Sequence, residues 1–296
     1  MAGMLYICAT PIGNLEDITF RTLRILKEVD LIAAEDTRHS IKLLNHFEIK
    51  TPMTSYHEYN KYDKAKLLVE KMAAGMNIAL ITDAGTPAIS DPGEELVKQC
   101  LEAGITVTSL PGPSAFVTAL TLSGRSTRRF CFEAFLPYDK KEREEILQEL
   151  KTETRTIILY EAPHKLKRTL KDLYEVLGDR KISLCRELTK KHETNFCTTL
   201  AGAVTHYETE EPRGEFVLVI EGADRKELKE QALEGLLFMS IPDHVRYYME
   251  QGIDKKEAMK KAAKDRGIGK RDVYQALLDA EIRNECADEQ GEQSYT

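Results

Sequence analysis

Four short apolar stretches within the first 110 residues, each followed by a polar loop, constrain the fold most strongly. The stretches are MLYICA, VDLIAA, NIALIT and ITVTSL, and they are apolar throughout rather than alternating. Strands that are buried on both faces have this pattern. Amphipathic segments of helical periodicity, such as ITFRTLRILKEV and YDKAKLLVEKMAAG, lie between them. Strands and helices in alternation predict a parallel α/β sheet.

The spacing of the apolar runs changes near residue 123, after which the predicted strands lie closer together in the sequence. These runs are FCFEAF, TIILY, ISLCRE, NFCTTL and FVLVI. The spacing predicts a mixed α/β domain with some antiparallel pairing. From Arg225 onward we find only helical segments, and the last two, joined by GIGKR, resemble a helix-turn-helix. A small docked helical cap explains that segment equally well.

The expected organisation is therefore α/β with several parts, in keeping with a length of 296 residues. We expect an N-terminal α/β domain over residues 1–122 and a second α/β domain over residues 123–222. A small helical domain over residues 223–283 and an acidic, disordered tail over residues 284–296 follow.

Several classes of protein are excluded by what the sequence lacks. No apolar run approaches the roughly 20 residues that cross a bilayer, and no basic segment precedes the first apolar run, so we expect a cytoplasmic protein without membrane association. The six cysteines contain no CxxC, and the seven histidines contain no HExxH or HxxxH. We therefore expect no metal site.

The net charge of −7 argues against a nucleic-acid partner, but the charges are unevenly distributed. Residues 255–272 contain eight Lys and Arg against three acidic residues, and residues 125–143 contain six against three. Part of the acidity lies at the end of the chain. Two basic patches therefore remain for a phosphate backbone, with solvated helix faces as an equal alternative.

The loops after the four N-terminal strands should meet at one sheet edge, where open α/β sheets bind ligands. They read ATPIGNLEDIT, AEDTRHS, TDAGTPAISDPG and LPGPSA. Turn chemistry explains any one of them, but four at one edge predict a pocket. None contains GxGxxG or GKS/GKT, which excludes a dinucleotide fingerprint and a P-loop. Asp83 suits an ammonium or hydroxyl group, and Pro113 and Ser114 open a helix whose N–H groups are free to bind a ligand. For Asp91, capping of the helix near Gly93 is the simpler interpretation.

Further charged residues follow strands and are candidates for acid–base chemistry or substrate binding. Asp36 and Arg38 follow the second predicted strand, and Glu161, Arg186 and Glu187 follow strands of the second domain. An ion pair at a helix start is the alternative for Asp36 and Arg38, and ion pairs between strands explain the second-domain residues equally well.

Eight segments together resemble a known family. TPIGNLEDIT, EDTR, DAGTPAISDPG, PGPSA, FEAFLP, YEAPHK, RELTKKHE and RGEFVLVIEG occur in order over roughly residues 4–222. They closely resemble the ribosomal RNA small-subunit methyltransferase I family, which belongs to the tetrapyrrole-methylase-like, class III, S-adenosylmethionine-dependent methyltransferases. The helical C-terminal segment is similar to the small C-terminal domain of that family.

The resemblance implies two α/β domains with S-adenosylmethionine in the cleft between them. It also implies 2′-O-methylation of a cytidine in the decoding region of 16S rRNA, on naked RNA or in the 30S subunit, by a homodimer. Two alternatives stay open, because fold alone does not determine substrate. One is a methylase acting on a small tetrapyrrole, and the other is a metabolite-sensing regulator that binds nucleic acid.

The resemblance also assigns residues, each at the position that matches a motif. Cofactor contacts, largely through backbone groups, are expected at Pro11, Gly13, Asp83, Ala84, Gly85, Thr86, Pro87, Ile89, Pro113, Ser114, Ala115, Glu161 and Ala162. The expected catalytic residues are Glu161, Glu187 and Asp36, with His192 the last candidate for the base. Substrate contacts are expected at Arg38, Arg186, Lys190, His192 and Arg213.

The chain departs from the family pattern at three places. Arg125 and Arg128 lie in a linker where a Leu-Pro-Thr-Asp-Arg type is usual, Ala134 replaces a Gly, and Lys165 replaces an Arg. We expect the linker charges to affect RNA contacts and not the cofactor.

Overall fold

The computed structural model describes residues 2–280 and divides the chain into two compact units. One unit comprises residues 1–222 and the other begins at residue 223. The expected acidic tail, and the last residues of the expected helical domain, lie outside the described residues.

The elements are as follows. The strands are β1 (Met4–Cys8), β2 (Leu31–Ala34), β3 (Met53–Ser55), β4 (Ile78–Ile81), β5 (Thr106–Leu110), β6 (Phe130–Ala134), β7 (Thr156–Glu161), β8 (Lys181–Arg186), β9 (Thr194–Thr199) and β10 (Phe216–Ile220). The helices are α1 (Phe20–Glu28), α2 (Thr37–His46), α3 (Lys61–Ala73), α4 (Gly93–Glu102), α5 (Ala115–Leu122), α6 (Lys140–Lys151), α7 (Pro163–Leu177), α8 (Leu200–Thr209), α9 (Arg225–Phe238), α10 (Ile241–Glu250) and α11 (Lys255–Arg266). A short 3₁₀ helix spans Leu15–Asp17, and residues 270–280 are also helical.

The first sheet has the order β3-β2-β4-β1-β5, and all of its strands are parallel. Apolar clusters cover both faces, with side chains of α3 and α4 on one and of α1 and α2 on the other. This two-sided burial is why its central strands are apolar throughout. The sequence pattern identified four of the five strands. The edge strand β3 escaped it because three residues, MTS, carry no periodicity.

The second sheet has the order β6-β7-β10-β8-β9, in which only β6 and β7 are parallel. The side chains of β10 alternate between its two faces: Phe216 and Leu218 pack with α6, α7 and α8, whereas Val217 and Val219 pack toward α5. Both sheets are thus buried on both faces, and the predicted α/β class with a mixed second sheet is confirmed.

Helix α5 joins the two sheets. It follows the last strand of the first sheet, yet it packs on β7 and β10 of the second sheet. Its buried Ala119 and Leu120 belong to the same cluster as Ile158 and Val219. The boundary expected between residues 122 and 123 therefore separates this helix from the sheet against which it packs.

The unit that begins at residue 223 is helical throughout its described part. Its small core consists of one valine from α10, three alanines from α11 and Val273. Helix α11 ends at Arg266 and is followed by Gly267, whose φ of +63° places it in the left-handed conformation that glycine adopts readily. Within residues 2–280, no helix combines the length and apolar character needed to cross a membrane.

One departure from the family pattern, Ala134, lies in a β-bulge at the end of β6. The pairing with β7 shifts between Phe132 and Ala134, so that Glu133 has no partner in the register. Ala134 has a φ of +52°, in the region that favours glycine. A bulge bends its strand and redirects the following side chain, here Phe135.

We therefore expect Ala134→Gly to stabilise the protein. Relief of the left-handed conformation, about 1–2 kcal/mol, exceeds the added chain entropy of glycine, about 0.5–1 kcal/mol. The free energy of unfolding measured by urea denaturation should rise by roughly 0.5–1 kcal/mol. Ala103→Gly is the control, because this exposed residue has a φ of −86° and the change should destabilise. A free energy of unfolding lower in Ala134→Gly than in the wild type would contradict the claim that Ala134 is strained.

Candidate functional site

A cavity of about 660 Å³ lies between the carboxyl edge of the first sheet and the second sheet. Its volume falls within the range of ligand pockets. The first sheet and its loops contribute Ile12, Glu35, Thr82, Asp83, Ala84, Gly85, Thr86, Ile89, Ser90, Asp91, Ser114 and Ala115. The second sheet and its loops contribute Phe135, Tyr160, Glu161, Ala162, Pro163, His164, Cys185, Leu188, Lys190, Glu215, Phe216 and Val217.

Three loops of the first sheet are bonded to one another and form one wall. Thr10 and Gly85 exchange two backbone hydrogen bonds, each of 2.9 Å, and the Thr10 hydroxyl donates to the Thr82 carbonyl at 3.0 Å. The Thr86 hydroxyl donates to the Pro113 carbonyl at 2.9 Å. Gly85 has a φ of +86°, which explains the glycine. The backbone groups of this wall are therefore held in place before a ligand binds.

The loop between β4 and α4 is folded around Asp91. Its Oδ1 accepts hydrogen bonds from the backbone N–H of Ala88 at 2.9 Å and of Gly93 at 2.7 Å, so Asp91 does bond the first residue of α4. Ala88 and Ser90 both have φ above +60°, a costly conformation outside glycine that concentrates at functional sites. Burial raises the pKa of Asp91.

The carboxylates of Glu35 and Asp83 lie at the β2 and β4 ends of the cavity. Glu35 accepts a 2.5 Å hydrogen bond from the Thr82 hydroxyl. Asp83 accepts one from the backbone N–H of Asp36 at 3.3 Å, and its Oδ1 lies 3.7 Å from His39 Nδ1. The side chain of Asp83 keeps 44% of its surface exposed, so oxygen lone pairs remain available to a ligand.

Two helices begin at the cavity without a side-chain cap. Ser114 precedes α5 and Ala162 precedes α7, and neither makes a side-chain bond to its helix start. The N–H groups of a first helical turn have no partner within the helix. They are suited to bind a carboxylate or a ring nitrogen of a ligand.

Glu161 ends β7 and is only 3% exposed. Its Oε1 accepts from the backbone N–H of Ala162 at 2.8 Å, and its Oε2 accepts from the Thr169 hydroxyl at 2.5 Å. Next to it, the ring of Tyr160 contacts that of Phe135 at a centroid distance of 5.6 Å. The floor of the cavity is thus aromatic, with one buried carboxylate.

Lys190 is tied to two carboxylates. Its Nζ lies 2.8 Å from Glu187 Oε1 and 2.8 Å from Glu215 Oε2. A Cβ on Gly13 would lie 2.4 Å from the Lys190 Cγ, so only a glycine lets the first loop approach this closely. Lys190 therefore links loops of the two sheets. Because its ammonium is already paired with two carboxylates, it is poorly suited to bind a phosphate.

The cavity lining is strongly acidic. Among the described residues that line it are five carboxylates, on Glu35, Asp83, Asp91, Glu161 and Glu215, and one ammonium, on Lys190. Such a lining attracts a cationic ligand and repels a polyphosphate. Cys185 also lines the cavity, and its thiol is un-ionised at neutral pH because burial raises its pKa to about 12.

The structure gathers only some of the expected site residues in this cavity. Those that line it are Asp83, Ala84, Gly85, Thr86, Ile89, Ser114, Ala115, Glu161, Ala162 and Lys190. Those that do not line it are Pro11, Gly13, Asp36, Arg38, Pro87, Pro113, Arg186, Glu187, His192 and Arg213. Pro113 and Gly13 still shape it, through the loop contacts described above.

Asp36 and Arg38 bind each other beside the cavity. The Arg38 guanidinium donates to both oxygens of Asp36, at 3.1 Å and 2.8 Å. Hydrogen bonds from the Arg38 side chain and backbone lower the pKa of Asp36 to about 2. A carboxylate with so low a pKa is a weak base.

Several lining residues are outside the set assigned to the site from the sequence, chiefly Thr82, Phe135, Tyr160, His164, Glu215 and Val217. Most lie on the second sheet, whose strands gave no loop pattern like that of the first. The sequence could have indicated two of them, because Tyr160 and His164 lie in the same YEAPHK segment as Glu161. Over residues 2–280, no three His, Cys, Asp or Glu side chains come together in an arrangement that would hold a metal ion.

Comparison with known proteins relates this geometry to a family. The model of the tetrapyrrole (corrin/porphyrin) methylases matches residues 4–204. The chain is 50% identical over 273 residues to ribosomal RNA small subunit methyltransferase I of Halalkalibacterium halodurans, covering 92% of this chain and 93% of that one. It is 47% identical to the protein of the same name from Bacillus subtilis, over 93% and 94% of the two chains.

Solved structures with the same fold are more distant in sequence. A diphthine synthase superposes with a TM-score of 0.59 at 13% identity, covering 74% of this chain and 90% of that chain. A uroporphyrin-III C-methyltransferase of Thermus thermophilus, solved in complex with S-adenyl homocysteine, gives 0.53 at 18% identity over 73% and 97%. These likenesses establish the fold, and the sequence relatives establish the group: the chain belongs to the tetrapyrrole (corrin/porphyrin) methylase family and, within it, to the ribosomal RNA small subunit methyltransferase I proteins.

Proposed function

We propose that this protein is an S-adenosylmethionine-dependent methyltransferase that methylates the 2′-oxygen of a cytidine in the decoding region of 16S rRNA. One observation carries the proposal: the cavity between the sheets holds five carboxylates and a single, already paired lysine. Relatives with up to 50% identity are named for methylation of small-subunit ribosomal RNA.

The residues present fit this cofactor. Its sulfonium and ammonium groups are cationic, which suits the acidic lining, and the uncapped starts of α5 and α7 suit its carboxylate and ring nitrogens. When bound, the cofactor supplies a methyl group activated by the positive sulfur. We assign Asp83 to the ammonium or ribose hydroxyls, and the backbone of residues 84–86 and 114–115 to close contacts.

Orientation of the ribose oxygen is the larger part of the catalysis that we propose. Holding two reactants in line lowers a barrier by roughly 7–11 kcal/mol. For the proton we favour Glu161, because it lines the cavity. Glu187 is less suited: partial burial opposes its ionisation, but bonds from Lys190 and the Glu215 backbone lower its pKa below the usual value. Asp36 is a weak base, and His192 is exposed outside the cavity lining.

RNA contacts are proposed on basic side chains outside the cavity. Arg38 has a side chain that is 90% exposed, beside the cavity edge. In the helical unit, Lys256, Lys260 and Lys264 are exposed at four-residue intervals and so form one row along α11. Tyr274, 54% exposed, follows Lys270 and Arg271 within one turn and offers a ring for base stacking. Of the other residues expected to bind substrate, we keep Arg186, Arg213 and His192 in the proposal, whereas Lys190 is paired with two carboxylates.

A cytoplasmic homodimer is part of the proposal. The apolar side chains of Val117, Leu122 and Phe130, on α5 and the start of β6, are 46%, 42% and 39% exposed. They support a self-association surface there.

Labelled S-adenosylmethionine tests the reaction. With 30S subunits, naked 16S rRNA and uroporphyrinogen offered separately, we expect label in the RNA, at one cytidine that resists alkaline cleavage on its 3′ side. Label in the porphyrin precursor alone would favour the small-molecule alternative. Binding of the cofactor without transfer to any substrate would favour the metabolite-sensing regulator.

Asp83→Asn should weaken cofactor binding. Loss of a charged hydrogen-bond partner, about 1.5–3 kcal/mol, corresponds to a dissociation constant for S-adenosylhomocysteine roughly 10- to 100-fold higher. Isothermal titration calorimetry measures it. Asp63→Asn, on the exposed surface of α3, removes the same charge and should leave binding unchanged. Equal affinities of Asp83→Asn and the wild type for S-adenosylhomocysteine would show that Asp83 does not contact the cofactor.

The basic row of α11 predicts the salt dependence of RNA binding. For Lys260→Gln/Lys264→Gln we expect the slope of log K against log salt to become shallower by about one to two, since each phosphate contact contributes roughly 0.7–0.9. Fluorescence anisotropy with a decoding-region RNA gives the slope. The control is Lys27→Gln/Lys66→Gln, which removes two exposed charges from α1 and α3. The same change of slope in both pairs would mean that α11 makes no specific contact.

A further inference from the structure

Behind the cavity, a buried chain of polar side chains leads from α6 to Glu161. The side chain of Arg143 is only 7% exposed. Its Nε donates to Asp172 Oδ2 at 2.8 Å, and its Nη2 donates to Thr169 Oγ1 at 2.9 Å. Thr169 in turn donates to Glu161 Oε2 at 2.5 Å. Of these four residues, only Glu161 lines the cavity.

The direction of this chain is fixed by chemistry. A guanidinium has N–H donors and no acceptor, so the Thr169 oxygen must accept from Arg143. A hydroxyl group has one hydrogen, and with its oxygen turned toward Arg143 that hydrogen is directed to Glu161. Thr169 therefore presents a donor, and never an acceptor, to the carboxylate. Asp172 completes the arrangement by pairing with the arginine charge.

Glu161 is thereby anchored at both oxygens. Oε1 is held by the backbone N–H of Ala162 at 2.8 Å and Oε2 by Thr169. Two donors on opposite oxygens fix the plane of a carboxylate, and each oxygen keeps further acceptor capacity. Because Glu161 lines the cavity, that capacity is available to a ligand.

We propose that Thr169 and Arg143 are positioning residues, which fix the orientation of the Glu161 carboxylate toward the ligand in the cavity. The inference rests on the proposed function, in which Glu161 acts at the reacting hydroxyl. Neither residue touches the ligand. Their effect on the reaction passes through Glu161 alone.

Thr169→Val removes the hydroxyl with almost no change of shape. We expect kcat/KM for methyl transfer to 30S subunits to fall about 10- to 100-fold, as for the loss of a hydrogen bond to a charged group. Thr169→Ser restores the hydroxyl and should stay within about threefold of the wild type, since it can still accept from Arg143 and donate to Glu161. Thr156→Val is the control, because Thr156 is also buried and donates to the Ser126 carbonyl, away from the cavity.

Arg143 is tested without leaving a buried charge unpaired. Arg143→Met/Asp172→Leu removes both partners of the ion pair and leaves the Thr169 hydroxyl free to rotate. We expect kcat/KM to fall by less than in Thr169→Val, and we expect no further fall when the Arg143/Asp172 pair is added to Thr169→Val. Full additivity of the two effects would contradict a chain that acts through Thr169.

Crystal structures of the Val and Ser variants give a readout that does not depend on activity. We expect Glu161 to lose its single orientation in the Val variant and to keep it in the Ser variant. An unmoved Glu161 with kcat/KM within twofold of the wild type in Thr169→Val, or a Ser variant as impaired as the Val variant, would overturn the inference. A wild type that transfers no methyl group to RNA would refute the proposed function instead, while the crystal structures would still decide the positioning.

Discussion

The paired backbone hydrogen bonds between Thr10 and Gly85 are the interaction on which the site depends. They join the loops that leave β1 and β4, two neighbouring strands at the centre of the first sheet. The Thr86 bond to the Pro113 carbonyl extends the junction to the loop after β5. Three separate chain reversals thus become one wall, with their backbone donors and acceptors fixed in space. A sheet edge without these bonds would carry mobile loops and no preorganised cavity.

In the proposed function, the two units bind ligands of opposite charge. The cavity is negative and suits a small cation, whereas the exposed face of α11 is positive and suits a polyanion. A single net charge of −7 hides both. Lys190 is the exception inside the cavity, and its pairing with Glu187 and Glu215 makes it a link between loops rather than a free cation.

Much of this architecture could be predicted from the sequence because burial leaves a local signature. The continuously apolar strands and the four loops identified the first sheet and one wall of the cavity. The wall formed by the second sheet was harder to predict. Phe135 is directed into the cavity by a bulge at Glu133, which the hydrophobic periodicity does not reveal. The chain from Arg143 to Glu161 was also hidden, because its members are brought together only by the packing of α6 and α7. Arg38 and Asp36 were expected to contact a substrate or act as base, with an ion pair as the alternative, and the sequence did not show that their partner would be each other.

Helix α5 has a consequence for folding. Its first residues line the cavity beside the loops of the first sheet, while its body is buried against the second sheet. The cavity is therefore complete only when both sheets are formed, and a ligand that binds it stabilises both together. At a hundredfold excess over its dissociation constant such a ligand adds about 2.7 kcal/mol to the native state. Cofactor binding thus makes residues 1–222 melt more nearly as one cooperative block, and cellular cofactor supply becomes a determinant of how long the protein survives proteolysis.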